Sequence, residues 1–234
     1  MKIKILMAAF ILFLGISLGG FAFGTPIDFS GSDKYASFEG NLEYNPLSGI
    51  LSISLTNTTN DTYSSESWYD NGAITGIGFY FPELVGDQTL EFASFNGDAN
   101  YPKFRNKYKQ QGQYIPIDLK GYDFGASTGK TLWRGKVAKG IKPGDSAQFD
   151  FGFSGSIADF TSQDFFNASG PGPGGQTGFG VVRFKGIGPG SNYSAKIIPS
   201  GGGAQVPEPA TIFLLSSGLL GFFGYSKKFW KSKK

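Results

Sequence analysis

Residues 37–56 read SFEGNLEYNPLSGILSISLT, and the alternation in this stretch decides the fold class. Phe38, Gly40, Leu42 and Tyr44 fall on one side of an extended chain, and Ser37, Glu39, Asn41 and Glu43 on the other. Successive side chains of a strand point to opposite faces, so this is the pattern of a half-buried strand. Asn45-Pro46-Leu47-Ser48-Gly49 supplies a turn. Leu51, Ile53 and Leu55 then alternate with Ser52, Ser54 and Thr56. The two runs predict a hairpin with one buried face.

Further strand signals lie beyond the hairpin. Residues 74–81 (ITGIGFYF) are apolar on both sides and stop at Pro82, as expected of a central strand covered on both faces. Residues 89–95 alternate through Leu90 and Phe92, and residues 146–154 set Ala147, Phe149, Phe151 and Phe153 against Ser146, Gln148, Asp150 and Gly152. Residues 180–187 (GVVRFKGI) and 193–198 complete the set, and no long stretch between residues 25 and 205 has a helical period. Short strands with Gly-rich turns and no helices predict an all-β chain, a single β-sandwich or jelly-roll-like domain over residues 25–199. The phenylalanines on the alternating faces are read as its core. Residues 169–180 (SGPGPGGQTGFG) read as a mobile loop between strands, and residues 200–205 (SGGGAQ) as a flexible spacer.

The two ends carry other signals. Met1-Lys2-Ile3-Lys4 precedes an apolar run over residues 5–18, and Gly19-Gly20-Phe21-Ala22-Phe23-Gly24 closes it. A short basic region, an apolar region and small residues at Ala22 and Gly24 predict a signal peptide over residues 1–24, exported by the Sec machinery and cut by signal peptidase after Gly24. At the other end, Val206-Pro207-Glu208-Pro209 leads into the uncharged run 210–225 (ATIFLLSSGLLGFFGY), and KKFWKSKK closes residues 227–234. A helix of that run would be about 24 Å long, slightly short of a hydrocarbon core of about 30 Å. Snorkelling lysines and interfacial Trp230 can cover the deficit. The five lysines beyond it predict a span of the inner membrane with a cytoplasmic C-terminus.

These ends also explain the charge. The chain has 21 basic and 18 acidic residues. Lys2, Lys4, the five tail lysines and Glu208 lie outside residues 25–206; removing seven bases and one acid leaves 14 against 17, a net −3. The region between the signals is therefore mildly acidic.

The tail resembles the PEP-CTERM sorting signal of Gram-negative bacteria that make extracellular polysaccharide. The resemblance rests on VPEPAT at residues 206–211, on a span containing Gly218, Gly221 and Gly224, and on the basic end. Proline fixes φ near −65° and biases the preceding residue toward an extended backbone, so Pro207-Glu208-Pro209 is a stiff peptide with one carboxylate. Such a peptide loses little entropy on entering an enzyme's site. The resemblance implies an exosortase partner, cleavage at or near Pro207, Glu208 and Pro209, and transfer of the remainder to the cell surface or extracellular matrix. The span departs from the family pattern in its bulk, through Phe222 and Phe223, and in using Lys throughout where Arg is common. A looser resemblance joins residues 74–82 and 180–188 to segments of β-sandwich ectodomains that carry this tail.

Composition limits the chemistry. The chain has no cysteine and no histidine. Disulfides, thiolate metal sites, the usual zinc ligands and Ser-His-Asp or Cys-His nucleophiles are therefore absent. No cofactor or metal is expected. One stretch stands out: residues 103–142 hold ten bases (Lys103, Arg105, Lys107, Lys109, Lys120, Lys130, Arg134, Lys136, Lys139, Lys142) against Asp118 and Asp123, a net +8. Tyr101, Phe104, Tyr108, Tyr114, Tyr122 and Trp133 are interleaved with them. Cations beside flat rings suit an anionic exopolysaccharide, which charge attracts and rings stack against. Lys103, Arg105, Lys107, Lys109, Tyr108 and Trp133 are the candidate binding residues. The same lysines could instead discourage pairing at sheet edges. Nucleic acid is not the expected partner of an exported chain.

Asp145, Asp150, Asp159, Asp164 and Asn167 could supply oxygen ligands to calcium, although no D-x-D-x-D-G loop is present. Asn57, Asn60, Asn167 and Asn192 each begin an N-x-S/T pattern. Three functions compete: a non-enzymatic surface or biofilm-matrix protein, a secreted carbohydrate-active enzyme using a carboxylate pair, and a permanently anchored single-pass protein. The first is the expected one.

Overall fold

The computed structural model describes residues 25–59, 72–172, 175, 177–188 and 193–201, without the side chains of residues 108 and 109. The signal peptide, residues 60–71 and the tail lie outside the described residues. The chain falls into two units, Met1–Gly203 and Ala204–Lys234.

The hairpin forms as its alternation requires. After β1 (Ile27–Ser32), strands β2 (Ser37–Asn45) and β3 (Ile50–Asn57) pair antiparallel, with Leu42 opposite Ile53 and Tyr44 opposite Leu51. Phe38, Leu42, Tyr44, Leu51, Ile53 and Leu55 are all buried. In the turn, the Asn45 side-chain oxygen accepts from the N–H groups of Leu47 (2.9 Å) and Ser48 (3.3 Å). Gly49 closes the turn at φ +66°, with the Phe153 carbonyl 2.7 Å from where a Cβ would stand. Gly40 sits on the buried face because the Phe29 ring occupies its side-chain space, 2.8 Å from a Cβ.

The remaining strands are β4 (Ala73–Phe79), β5 (Leu90–Asn96), β6 (Lys107–Gln110), β7 (Gln113–Pro116), β8 (Phe124–Ser127) and β9 (Ser146–Gly155). Helix α1 (Ser162–Asn167) follows, then β10 (Gly170–Pro171), β11 (Thr177–Gly178), β12 (Gly180–Lys185) and β13 (Lys196–Ile197). One antiparallel sheet has the order β1-β2-β3-β9-β5, and a second the order β13-β12-β4-β8. In the five-stranded sheet, register aligns Leu42, Ile53 and Phe149 in one row and Tyr44, Leu51, Phe151 and Phe95 in another.

Aromatic rings join the two sheets. Phe38 meets Phe184 at 6.2 Å, Phe79 meets Phe151 at 6.2 Å, and Phe124 meets Phe151 at 5.2 Å and Phe153 at 5.1 Å. These edge-to-face and tilted contacts are the favoured ring geometries. The other side of β4 is covered too. Gly76 and Gly78 leave room for Leu132, which would lie 2.8 and 2.9 Å from a Cβ at either position. That is why residues 73–79 are buried throughout.

The chain crosses between sheets at both edges. After β5, Phe104 packs on Phe149 at 4.9 Å, and the Arg105 backbone then bonds Ser127 on β8. After β13, the Ser200 and Ser30 backbones exchange two 2.8 Å hydrogen bonds, which places Ser200 against β1.

Three features differ from the expectation. A helix is present: Thr161 and Asp164 cap α1 reciprocally, and six residues are too few to display a helical period. The segment 169–180, expected to be a mobile loop, contains the paired strands β10 and β11. The basic segment contains the ribbon β6–β7, whose turn is made by Gln111 (φ 48°) and Gly112 (φ 85°).

Candidate functional site

The structure divides the basic, aromatic stretch. Lys103, Arg105 and Lys107 are exposed. Arg105 takes the free edge of β8, with N–H···O bonds of 3.3 and 3.0 Å exchanged with Ser127. On the ribbon, Tyr108 stands opposite Ile115 and Lys109 opposite Tyr114, and the Lys107 ammonium lies 5.3 Å from the centre of the Tyr114 ring.

Two of the six interleaved rings are closed off as stacking platforms. Phe104 and Tyr122 are buried in the core. The Tyr101 hydroxyl donates a 2.6 Å hydrogen bond to Asp145, and burial together with that bond pushes its pKa up to about 12. Among the described side chains of this region, Tyr114 is the exposed ring, at 66%.

Trp133 belongs to a different constellation. It follows Leu132 in a single 3-10 turn, Leu132–Arg134, and meets Tyr122 edge-to-face at 6.2 Å. Its ring faces β12 and β13, where the Arg183 guanidinium lies 5.8 Å and the Lys196 ammonium 4.5 Å from its centre. Arg183 and Lys196 are directly paired across these strands. Arg105 is three strand positions from Arg183 in the sheet (Arg105, β8, β4, β12), about 14 Å at the usual spacing. Trp133 thus takes its cation contacts from β12 and β13.

Arg183 has unusual surroundings. It is 7% exposed, its Nη1 donates one long bond of 3.4 Å to the Ala195 carbonyl, and its Nε has no partner. Lys185, two residues on, donates from Nζ to the Gly135 carbonyl at 3.2 Å. Burial holds the Arg183 pKa below the ordinary guanidinium range. Burial first, and the Arg183 charge second, depress that of Lys185. Among the described residues none of Arg183, Lys185 and Lys196 forms an ion pair. None of the three is among the candidate residues that the sequence offers. The available signal was alternation: Arg183 and Lys185 flank Phe184 in GVVRFKGI, so both leave the core together.

The acidic candidates are dispersed and engaged. Asp145 accepts from Tyr101, Asp150 from Ser52 at 2.8 Å, and Asp164 from the Thr161 N–H and hydroxyl at 2.7 Å each. Asp159, Asp164 and Asn167 line one groove of about 340 Å³ together with Glu83. Among the described residues no group of three or more acids has metal-site geometry. The N-x-S/T pattern at Asn57 is closed to modification in the folded chain. Asn57 is fully buried, and its Nδ2 donates to the carbonyls of Ile141 (2.9 Å) and Gly72 (3.3 Å).

Ala22 and Gly24, the sorting residues Pro207, Glu208 and Pro209, and the span 210–225 lie outside the described residues. Among the described residues no helix is long and apolar enough to cross a membrane. Residues 205–228 match the family model of the PEP-CTERM protein-sorting motif. No curated protein and no solved structure matches the chain. The tail is thus a sorting motif that implies export, membrane tethering and an exosortase as processing partner.

Proposed function

We propose that this chain is a non-enzymatic surface or matrix protein of a Gram-negative cell, cut by exosortase at Pro207-Glu208-Pro209 and associated with anionic exopolysaccharide. The match at residues 205–228 supports the export and sorting part of the reading. On this account the Sec machinery and signal peptidase act first, at residues 1–24. Residues 210–225 then hold the chain in the inner membrane, C-terminus inward. Cleavage delivers a β-sandwich over residues 25–199 to the cell surface or biofilm matrix. The ring contacts joining the two sheets support the sandwich.

Binding to a polyanion draws support from the exposed Lys103, Arg105 and Lys107, of which Arg105 lies at the edge of the four-stranded sheet and Lys107 on the ribbon. A catalytic role has less support, since Asp164 in the acidic groove is committed to capping α1.

Intact mass of the surface-exposed form tests the sorting step. Loss of the residues beyond Pro209 is expected, and replacing Pro207, Glu208 and Pro209 with alanine should leave the full chain in the membrane fraction. A surface form that keeps its tail would mean a permanent anchor. For the edge surface, glutamine at Lys103, Arg105, Lys107 and Lys109 should shorten retention on a polyanion column. Unchanged retention would remove these residues from the site.

A further inference from the structure

We propose that Arg183, Lys185, Lys196 and Trp133 form a binding site for the carboxylate-bearing sugar of an acidic polysaccharide. The site lies on β12 and β13, apart from the edge at Arg105. It rests on the polysaccharide reading only for the body that carries the anion.

Arg183 carries a buried charge with little compensation. A guanidinium carries five N–H donors and stays protonated. Burying a cation is tolerated when a carboxylate or several carbonyls take those donors. Arg183 is 7% exposed, and among the described residues it has one long bond to Ala195, a free Nε and no carboxylate. Val182 and Phe184, its neighbours on β12, face the other side of the strand and are fully buried among apolar groups.

Two more cations crowd this one. Lys196 is paired with Arg183 across the strands, and Lys185 lies close enough for the Arg183 charge to disfavour its own. Three like charges without an acid repel one another, and an anion placed among them relieves all three at once. The guanidinium fork matches the two oxygens of a carboxylate.

Trp133 points to what carries that carboxylate. Its ring holds Arg183 and Lys196 by cation–π contact, and it is half-buried, so part of it stays open to solvent. A half-buried ring beside a cation pair fits a uronate unit, whose apolar C–H groups meet the part of the ring that the two cations leave uncovered while its carboxylate reaches Arg183. A small inorganic anion would use the cations and leave the ring idle.

The test is titration calorimetry of the full chain at low salt with tetragalacturonate, with maltotetraose and inorganic sulfate as comparison ligands. Tetragalacturonate should bind, maltotetraose should not, and affinity should fall as salt rises. Arg183→Met keeps the buried stem and should weaken binding at least tenfold. Lys196→Gln, at an exposed position where folding is not at stake, should weaken it several-fold. The triple substitution Lys103→Gln, Arg105→Gln, Lys107→Gln should leave this affinity within twofold. Equal affinity in wild type and Arg183→Met would overturn the site while leaving the polysaccharide reading intact. Arg183-dependent binding of sulfate without tetragalacturonate would overturn the sugar assignment. No binding of either anion would overturn the proposal entirely.

Discussion

Replacing Asn57 with alanine should destabilise the folded domain by about 3 kcal/mol. Asn57 ends β3 and is fully buried. Its Nδ2 donates to Ile141 O at 2.9 Å and Gly72 O at 3.3 Å, and its Oδ1 accepts from the Thr59 N–H at 3.1 Å. The first two bonds tie the five-stranded sheet to the entry of β4 and to the segment that bridges Ile74. Each hydrogen bond contributes about 0.5–1.5 kcal/mol net, and the loss is largest where a buried partner has no substitute. Ile141 O keeps the Ile74 N–H at 3.0 Å, so the Gly72 carbonyl suffers most. For a domain of this size, about 3 kcal/mol lowers Tm by about 6–12 °C. Urea unfolding followed by circular dichroism measures the change directly, with an unchanged slope confirming that both end states are the same. Thr58→Ala serves as the control, since the Thr58 side chain makes a half-buried 3.1 Å bond from its hydroxyl to the Ser37 hydroxyl, and it should cost less than about 1 kcal/mol. If Asn57→Ala lies within about 0.5 kcal/mol of wild type, the latch does not exist as described.

Two further outcomes concern charge. Arg183→Met should raise stability by about 1–3 kcal/mol, because an uncompensated buried cation is exchanged for an apolar side chain of similar length; a lower Tm would show that the guanidinium is already well satisfied. High pH should unfold the protein through its tyrosines. Burial pushes Tyr44 up to about 12, burial and the Asp145 bond do the same to Tyr101, and burial raises Tyr122 further. A tyrosine raised in the fold contributes stability that is fully present below its unfolded pKa, about 10, and lost as pH rises through the folded value. Stability should therefore be flat to pH 10 and fall toward pH 12, with Tyr44 accounting for about 2–3 kcal/mol of the fall. Tyr44→Phe loses the 2.8 Å bond to the Ile157 carbonyl and should be weaker at neutral pH, but its alkaline slope should be shallower. An identical slope would exclude Tyr44 as a cause.

Legibility differed sharply between elements. The hairpin, β4, β9 and β12 were readable because their alternation or two-sided burial is written in consecutive residues. β1 escaped notice in the short IDFSGS run, which offers only Ile27 and Phe29 to the core. Helix α1 lacked a period, yet Thr161 and Asp164 carry the cap spacing that announces a helix start. The ribbon β6–β7 was hidden by its charges, although Gln-Gly at residues 111–112 is a turn signal.

From the sequence alone follow the strand-rich character, the inward and outward faces of the main strands, the exclusion of thiol and imidazole chemistry, and the tail as an address. All are local: a strand's period, a residue's absence and a short motif need no partner to be read. Tertiary structure decided everything that depends on which segments meet. It separated Trp133 from Lys103, Arg105 and Lys107, and joined it to Arg183 and Lys196, which lie 50 and 63 positions further along the chain. It also turned Asn57 from a modification pattern into a buried latch. The physical reason is that many apolar strands can pair about equally well with many others. Ring packing between the sheets selects one arrangement, and only that arrangement determines which cations share a surface.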